Sequence, residues 1–91
     1  MKLLAALLLS VVIAAPAYAQ GRRGPSCEDL WVARNQIYKD AGYCFKTQRA
    51  IRYFGNRGCR YRDMGAVPLS RAERREIADI QRRERFARCP R

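Results

Sequence analysis

Residues 26–42 read SCEDLWVARNQIYKDAG, and the spacing of their side chains decides the fold. Ser26 is a helix N-cap, since a hydroxyl there accepts from an orphan backbone N–H, and Glu28 and Asp29 fall in the first turn, where the helix dipole favours negative charge. Leu30, Ala33, Arg34, Ile37, Tyr38 and Ala41 recur at three- and four-residue steps and form one inward stripe, while Glu28, Gln36, Lys39 and Asp40 fall elsewhere. Gly42 is the natural left-handed stop. A helix over about residues 27–41 follows.

Toward the C-terminus, Tyr43 and Phe45 flank Cys44 and carry the chain back across the core. Thr47 caps a second helix of about two turns through Phe54, ended by Gly55 and Asn56. The stretch up to Pro68, with Gly58, Asp63 and Gly65, reads as irregular loop. Ser70-Arg71-Ala72-Glu73 is a capping box that opens a third helix running to about Arg88. Ile77, Ile80, Glu84 and Ala87, with Phe86 nearby, define a narrow apolar seam on it, and Cys89 before Pro90 pins its end. The expected fold over residues 27–89 is therefore all-α, a small three-helix domain with an irregular central loop.

Toward the N-terminus, Lys2, the apolar run Leu3–Ala15 and Pro16 precede Ala17-Tyr18-Ala19, the layout of a secretory signal over residues 1–19. The run is shorter than the roughly 18 residues needed to cross a bilayer, so the processed chain is not expected to span a membrane. Residues 20–26, QGRRGPS, contain no apolar side chain beyond the proline and read as a mobile basic arm. Export points to a periplasmic or secreted protein.

Cys27, Cys44, Cys59 and Cys89 all follow the expected cleavage point and are even in number, as disulfides in an oxidising compartment require. A four-cysteine zinc site normally uses close C-x2-C pairs, and the nearest cysteines here are 15 positions apart. Three pairings are open to four cysteines. Cys44 with Cys59 and Cys27 with Cys89 is the favoured one, closing loops of about 15 and 60 residues worth roughly 3 and 4 kcal/mol in the chain-entropy model. A core of this size supplies only roughly 3 to 5 kcal/mol, so such staples matter.

The chain has 19 basic and 8 acidic residues, a net charge of +11, and no histidine. Without histidine the commonest general base and metal ligand is missing, and the cysteines are better explained as bridged, so neither an enzyme nor a cofactor-binding protein is expected. The carboxylates Glu73, Glu76, Asp79 and Glu84 lie on one arginine-laced helix, where Asp79 with Arg83 and Glu84 with Arg88 fit ordinary i to i+4 pairs. The basic excess is almost all arginine, whose planar guanidinium suits bidentate contact with phosphate or carboxylate. Arg22 and Arg23 on the arm, and Arg57, Arg60 and Arg62 around Tyr61, are least neutralised by neighbouring acids and are the candidate anion-binding residues.

Two further features are expected to be structural. Trp31 beside the inward stripe, with Tyr38, Tyr53 and Phe54, reads as core packing before a ligand-stacking platform. Arg34 at an inward position needs a carboxylate or carbonyl partner, and Asn35 beside it is expected to bond to a turn or a neighbouring loop.

The order Leu30-Trp31-x-x-Arg34-Asn35-x-Ile37-Tyr38, then Gly42-Tyr43-x-Phe45 and Leu69-Ser70-x-x-Glu73, resembles the YARHG domain over about residues 27–89. The resemblance implies a bacterial extracellular or periplasmic module of unknown molecular function, here in a disulfide-bearing variant. Where the family reads aromatic-Ala-Arg-His-Gly, this chain has Tyr38-Lys39-Asp40-Ala41-Gly42. The family supplies no catalytic residue to carry over. The expected function is an exported, basic, non-enzymatic module that binds an anionic envelope component, such as peptidoglycan, lipopolysaccharide or an acidic protein. The alternatives are a protein-interaction or inhibitory module anchored around Trp31 and Tyr61, and a nucleic-acid binder, ranked lower because an exported protein meets envelope polymers more often.

Overall fold

The computed structural model describes residues 24–91; the expected leader and Arg22 and Arg23 of the arm lie outside the described residues. Three helices follow one another: α1 over Cys27–Asp40, α2 over Gln48–Phe54 and α3 over Arg71–Phe86. No strand occurs among the described residues, and no helix there is long and apolar enough to cross a membrane.

Each helix begins where a side chain satisfies its orphan donors. At α1 the Asp29 N–H donates to Ser26 Oγ (3.0 Å) and the Ser26 N–H to Asp29 Oδ2 (3.1 Å), so Asp29 completes a reciprocal box as well as opposing the dipole. Ser70 and Glu73 do the same for α3, and Thr47 Oγ1 accepts from the Ala50 N–H at the start of α2. The ends of α1 and α3 share one hydrogen-bond motif. Gly42 and Tyr43 donate to the carbonyls of Lys39 and Tyr38, and Arg88 and Cys89 donate to those of Arg85 and Glu84. The motif needs a left-handed residue, which is Gly42 (φ 98°) after α1 but Arg88 (φ 58°) after α3. That conformation at Arg88 is why α3 stops at Phe86, two residues before the expected end.

Cys27 is bonded to Cys89 and Cys44 to Cys59, the favoured pairing. The first bond joins the start of α1 to the end of α3, so the two helices run antiparallel and pack along their length. Leu30, Ile77 and Ile80 are buried, and a second cluster, Tyr43, Phe45, Ala50 and Val67, receives Trp31, Tyr38, Phe54, Tyr61 and Leu69. The rings form a continuous chain: Tyr38 to Tyr43 (5.7 Å), Tyr43 to Phe45 (5.2 Å), Phe45 to Phe54 (5.0 Å) and Phe54 to Trp31 (5.7 Å). Such pairs contribute about 0.5–1.5 kcal/mol each beyond the area they bury.

Two expectations about faces are corrected. Ala33 is exposed and Asn35 is buried, because α1 packs on both α3 and α2, which widens and rotates its inward stripe toward Trp31. Phe86 and Ala87 lie outside the seam, with Phe86 91% exposed; the register that buries Ile77, Ile80 and Glu84 turns position 86 away. The 55–68 segment is irregular loop, as expected, and specific backbone contacts hold it. Tyr43 and Tyr61 form an isolated parallel bridge. Gly42 O accepts from the N–H groups of Arg60 (2.7 Å) and Tyr61 (3.0 Å), and Tyr61 O from that of Cys44 (2.8 Å). A 3₁₀ turn, Met64–Ala66, then delivers Val67 to the core.

Gly42 is required twice, by its backbone and by its neighbours: a Cβ there would sit 3.2–3.3 Å from the Tyr61 ring. A non-glycine residue in this conformation costs about 1–2 kcal/mol. Gly42→Ala therefore lowers the thermal midpoint by roughly 5–15 °C, while Arg88→Gly, which relieves the same strain at an open position, does not lower it; calorimetry on the two variants reads both signs. Removing both Cys27 and Cys89 lowers the midpoint more than removing Cys44 and Cys59, since the loop released spans 62 residues rather than 15.

Candidate anion-binding surface

The protein's charge is distributed unevenly between its fold and its surface. All eight carboxylates lie in the described residues, and six have partners there. Asp29 and Glu73 cap helices, Asp40 accepts from Gln36, Glu28 pairs with Arg49, Asp79 with Arg82 and Arg83, and Glu84 with Arg34. The described residues carry 16 of the 19 cations, the chain total less Lys2, Arg22 and Arg23. Only Arg34, Arg49, Arg82 and Arg83 among them form ion pairs. Lys39 is held by the Gly55 carbonyl (3.2 Å) and Arg52 by Gln48 (2.9 Å).

Arg57, Arg60 and Arg62 are all exposed, and among the described residues none has a carboxylate within ion-pair distance. Their segment is anchored at Cys59 by the bond to Cys44, and at Arg60 and Tyr61 by the hydrogen bonds to Gly42. The Arg60 guanidinium lies 5.7 Å from the centre of the Tyr61 ring. Three unpaired guanidinium groups thus project from a backbone that is already ordered, which lowers the entropy lost when they engage an anion.

Arg34 is different. Its Nε and terminal nitrogen donate to the two oxygens of Glu84 at 2.8 and 2.9 Å, a bidentate pair across 50 positions of sequence. The side chains are 23% and 14% exposed. Glu84 therefore serves α1 rather than the expected Arg88, whereas Asp79 does meet Arg83 (3.3 Å) and, more closely, Arg82 (2.7 Å). An open cleft of about 380 Å³ lies beside the pair, edged by Gln81, Arg85, Pro90 and Arg91.

Asn35 donates to the Trp31 carbonyl one turn earlier in its own helix (3.0 Å), not to a loop. The loop buttress is Asn56, whose Oδ1 accepts from the Phe45 N–H (2.7 Å) and whose Nδ2 donates to the Phe45 carbonyl (2.9 Å). In the sequence Asn56 marks only the end of a helix, and its cyclic contact with position 45 has no local signal. Trp31 is not an open stacking platform: Arg49 covers one face at 3.7 Å, and Tyr53 and Phe54 pack around it.

A family model described as the YARHG domain matches residues 6–85. No curated protein and no solved structure matches the chain.

The Arg34–Glu84 geometry sets a test of what the pair contributes. Glu84→Ala strands a half-buried guanidinium and costs about 1–3 kcal/mol in urea unfolding, below the range for a fully buried pair because water reaches both groups. Replacing Arg34 and Glu84 together by methionine costs less than Glu84→Ala alone, since no unpaired charge remains.

Proposed function

The chain belongs to the YARHG domain family, and from that premise we propose that it is an exported, non-enzymatic module that binds an anionic component of the bacterial envelope. Two disulfides and the family together support an oxidising location, periplasmic or secreted. The leader-like residues 1–19 support export, after which 18 basic and 8 acidic residues remain.

One observation carries the reading: six of the eight carboxylates are engaged by helix caps, hydrogen bonds or ion pairs, and most of the arginines are left facing water without an ion-pair partner. A surface of this kind attracts polyanions, and guanidinium groups add paired hydrogen bonds to each phosphate or carboxylate they reach. Arg57, Arg60 and Arg62 on their anchored loop, with Arg22 and Arg23, form the primary contact set.

Sedimentation of the oxidised protein with cell-wall sacculi and with outer-membrane vesicles, across a salt series and with DNA as competitor, tests this. Binding that weakens with salt and resists DNA is the expected result; no binding to either material overturns it. Neutralising Arg57, Arg60 and Arg62 to glutamine weakens binding about a hundredfold, at roughly 1 kcal/mol per cation near an anionic surface, and leaves the thermal midpoint unchanged because none of the three holds the fold together. Capture equal to that of the parent protein overturns the residue assignment.

A further inference from the structure

We propose, resting on the envelope-binding reading above, that the solvent face of α3 is a docking face for an anionic lipid layer, with the Phe86 ring as its inserted anchor. Arg71, Arg75, Ala78, Arg82 and Arg85 succeed one another at three- and four-residue steps, so they share one face of the helix, away from Ile77 and Ile80. Phe86 lies at the end of that face and is 91% exposed, the most exposed large apolar side chain of the fold. Beside it an open groove of about 640 Å³ is walled by Pro25, Leu30 and Ala87 and edged by Arg82, Arg83 and Arg85.

Folding explains neither end of this face. Arg71, Arg74 and Arg75 occupy the first turns of α3, where the dipole disfavours cations, and Phe86 gains no burial. Local stability rules broken without a structural return are expected at functional or strained sites, and nothing on this exposed face is strained by packing. Arg71, Arg75 and Arg85 have no ion-pair partner among the described residues, and Asp79 alone answers Arg82 and Arg83.

Charge selects the occupant. A second copy of the chain would oppose arginine to arginine. An acidic peptide seated in the groove would leave Arg71 and Arg75 idle, because the face extends about 22 Å along the helix at 1.5 Å per residue. A lipid layer supplies headgroup anions along that whole length and an acyl boundary shallow enough for one ring. Charge attraction and a single apolar insertion are each weak, and together they give reversible surface attachment.

The test is sedimentation of the oxidised protein with phosphatidylcholine vesicles, with and without phosphatidylglycerol, beside the sacculi assay. Salt-sensitive binding to the anionic vesicles alone is expected. Phe86→Ser, at a position the core does not use, reduces that binding roughly ten- to a hundredfold and leaves capture by sacculi unchanged, while Phe86→Trp adds a blue-shifted emission on vesicle addition. Vesicle binding indifferent to Phe86→Ser overturns the anchor. Binding to sacculi without binding to vesicles overturns the lipid assignment and leaves the envelope reading standing, and binding to neither overturns both.

Discussion

The antiparallel seating of α3 on α1 is the constraint on which the rest of this protein depends. It is held at one end by the covalent bond between Cys27 and Cys89 and near its middle by the bidentate pair of Arg34 with Glu84. Leu30, Ile77 and Ile80 complete it with apolar burial. A chain this short buries too little to hold two helices in one relative rotation by hydrophobic contact alone. The disulfide limits the unfolded ensemble, and the ion pair sets the rotation of α3 by requiring Glu84 to face α1. That rotation turns Arg71, Arg75, Arg82 and Phe86 outward.

A second constraint operates at the other end of α1. Gly42 adopts a left-handed backbone, and its carbonyl gathers the amides of Arg60 and Tyr61. The Cys44–Cys59 bond and the Asn56 clamp on Phe45 reinforce the same fold-back. Between the two ends the aromatic chain from Tyr38 to Trp31 fills the space that α2 covers. The candidate anion-binding loop is thus a by-product of how α1 is terminated, and its arginines project from a base that binding does not have to order.

Electrostatics divides along the same line. Most carboxylates sit at helix starts or in ion pairs, while guanidinium groups are mostly left in solvent. The net charge destabilises the compact state through self-repulsion, and the two disulfides offset that cost. A basic surface and a stapled core are in this sense one design.

What the sequence by itself determined were the features with local causes. The Ser26, Thr47 and Ser70 caps, the Gly42 stop, the helical periods and the all-α class each follow from residues within one or two turns of each other. Cysteine number and spacing with the expected export signal led to bridges, and Arg34 announced a missing partner through its inward position. Only the tertiary structure decided who answers. Glu84 meets Arg34 rather than Arg88, Asn56 rather than Asn35 braces the loop, and Phe86 and Ala33, both expected to face inward, are left in water. Those outcomes depend on how far α3 is rotated against α1 and on a glycine turn that brings residue 61 to residue 43. Both are set by contacts some 20 to 60 positions apart, which no local pattern records.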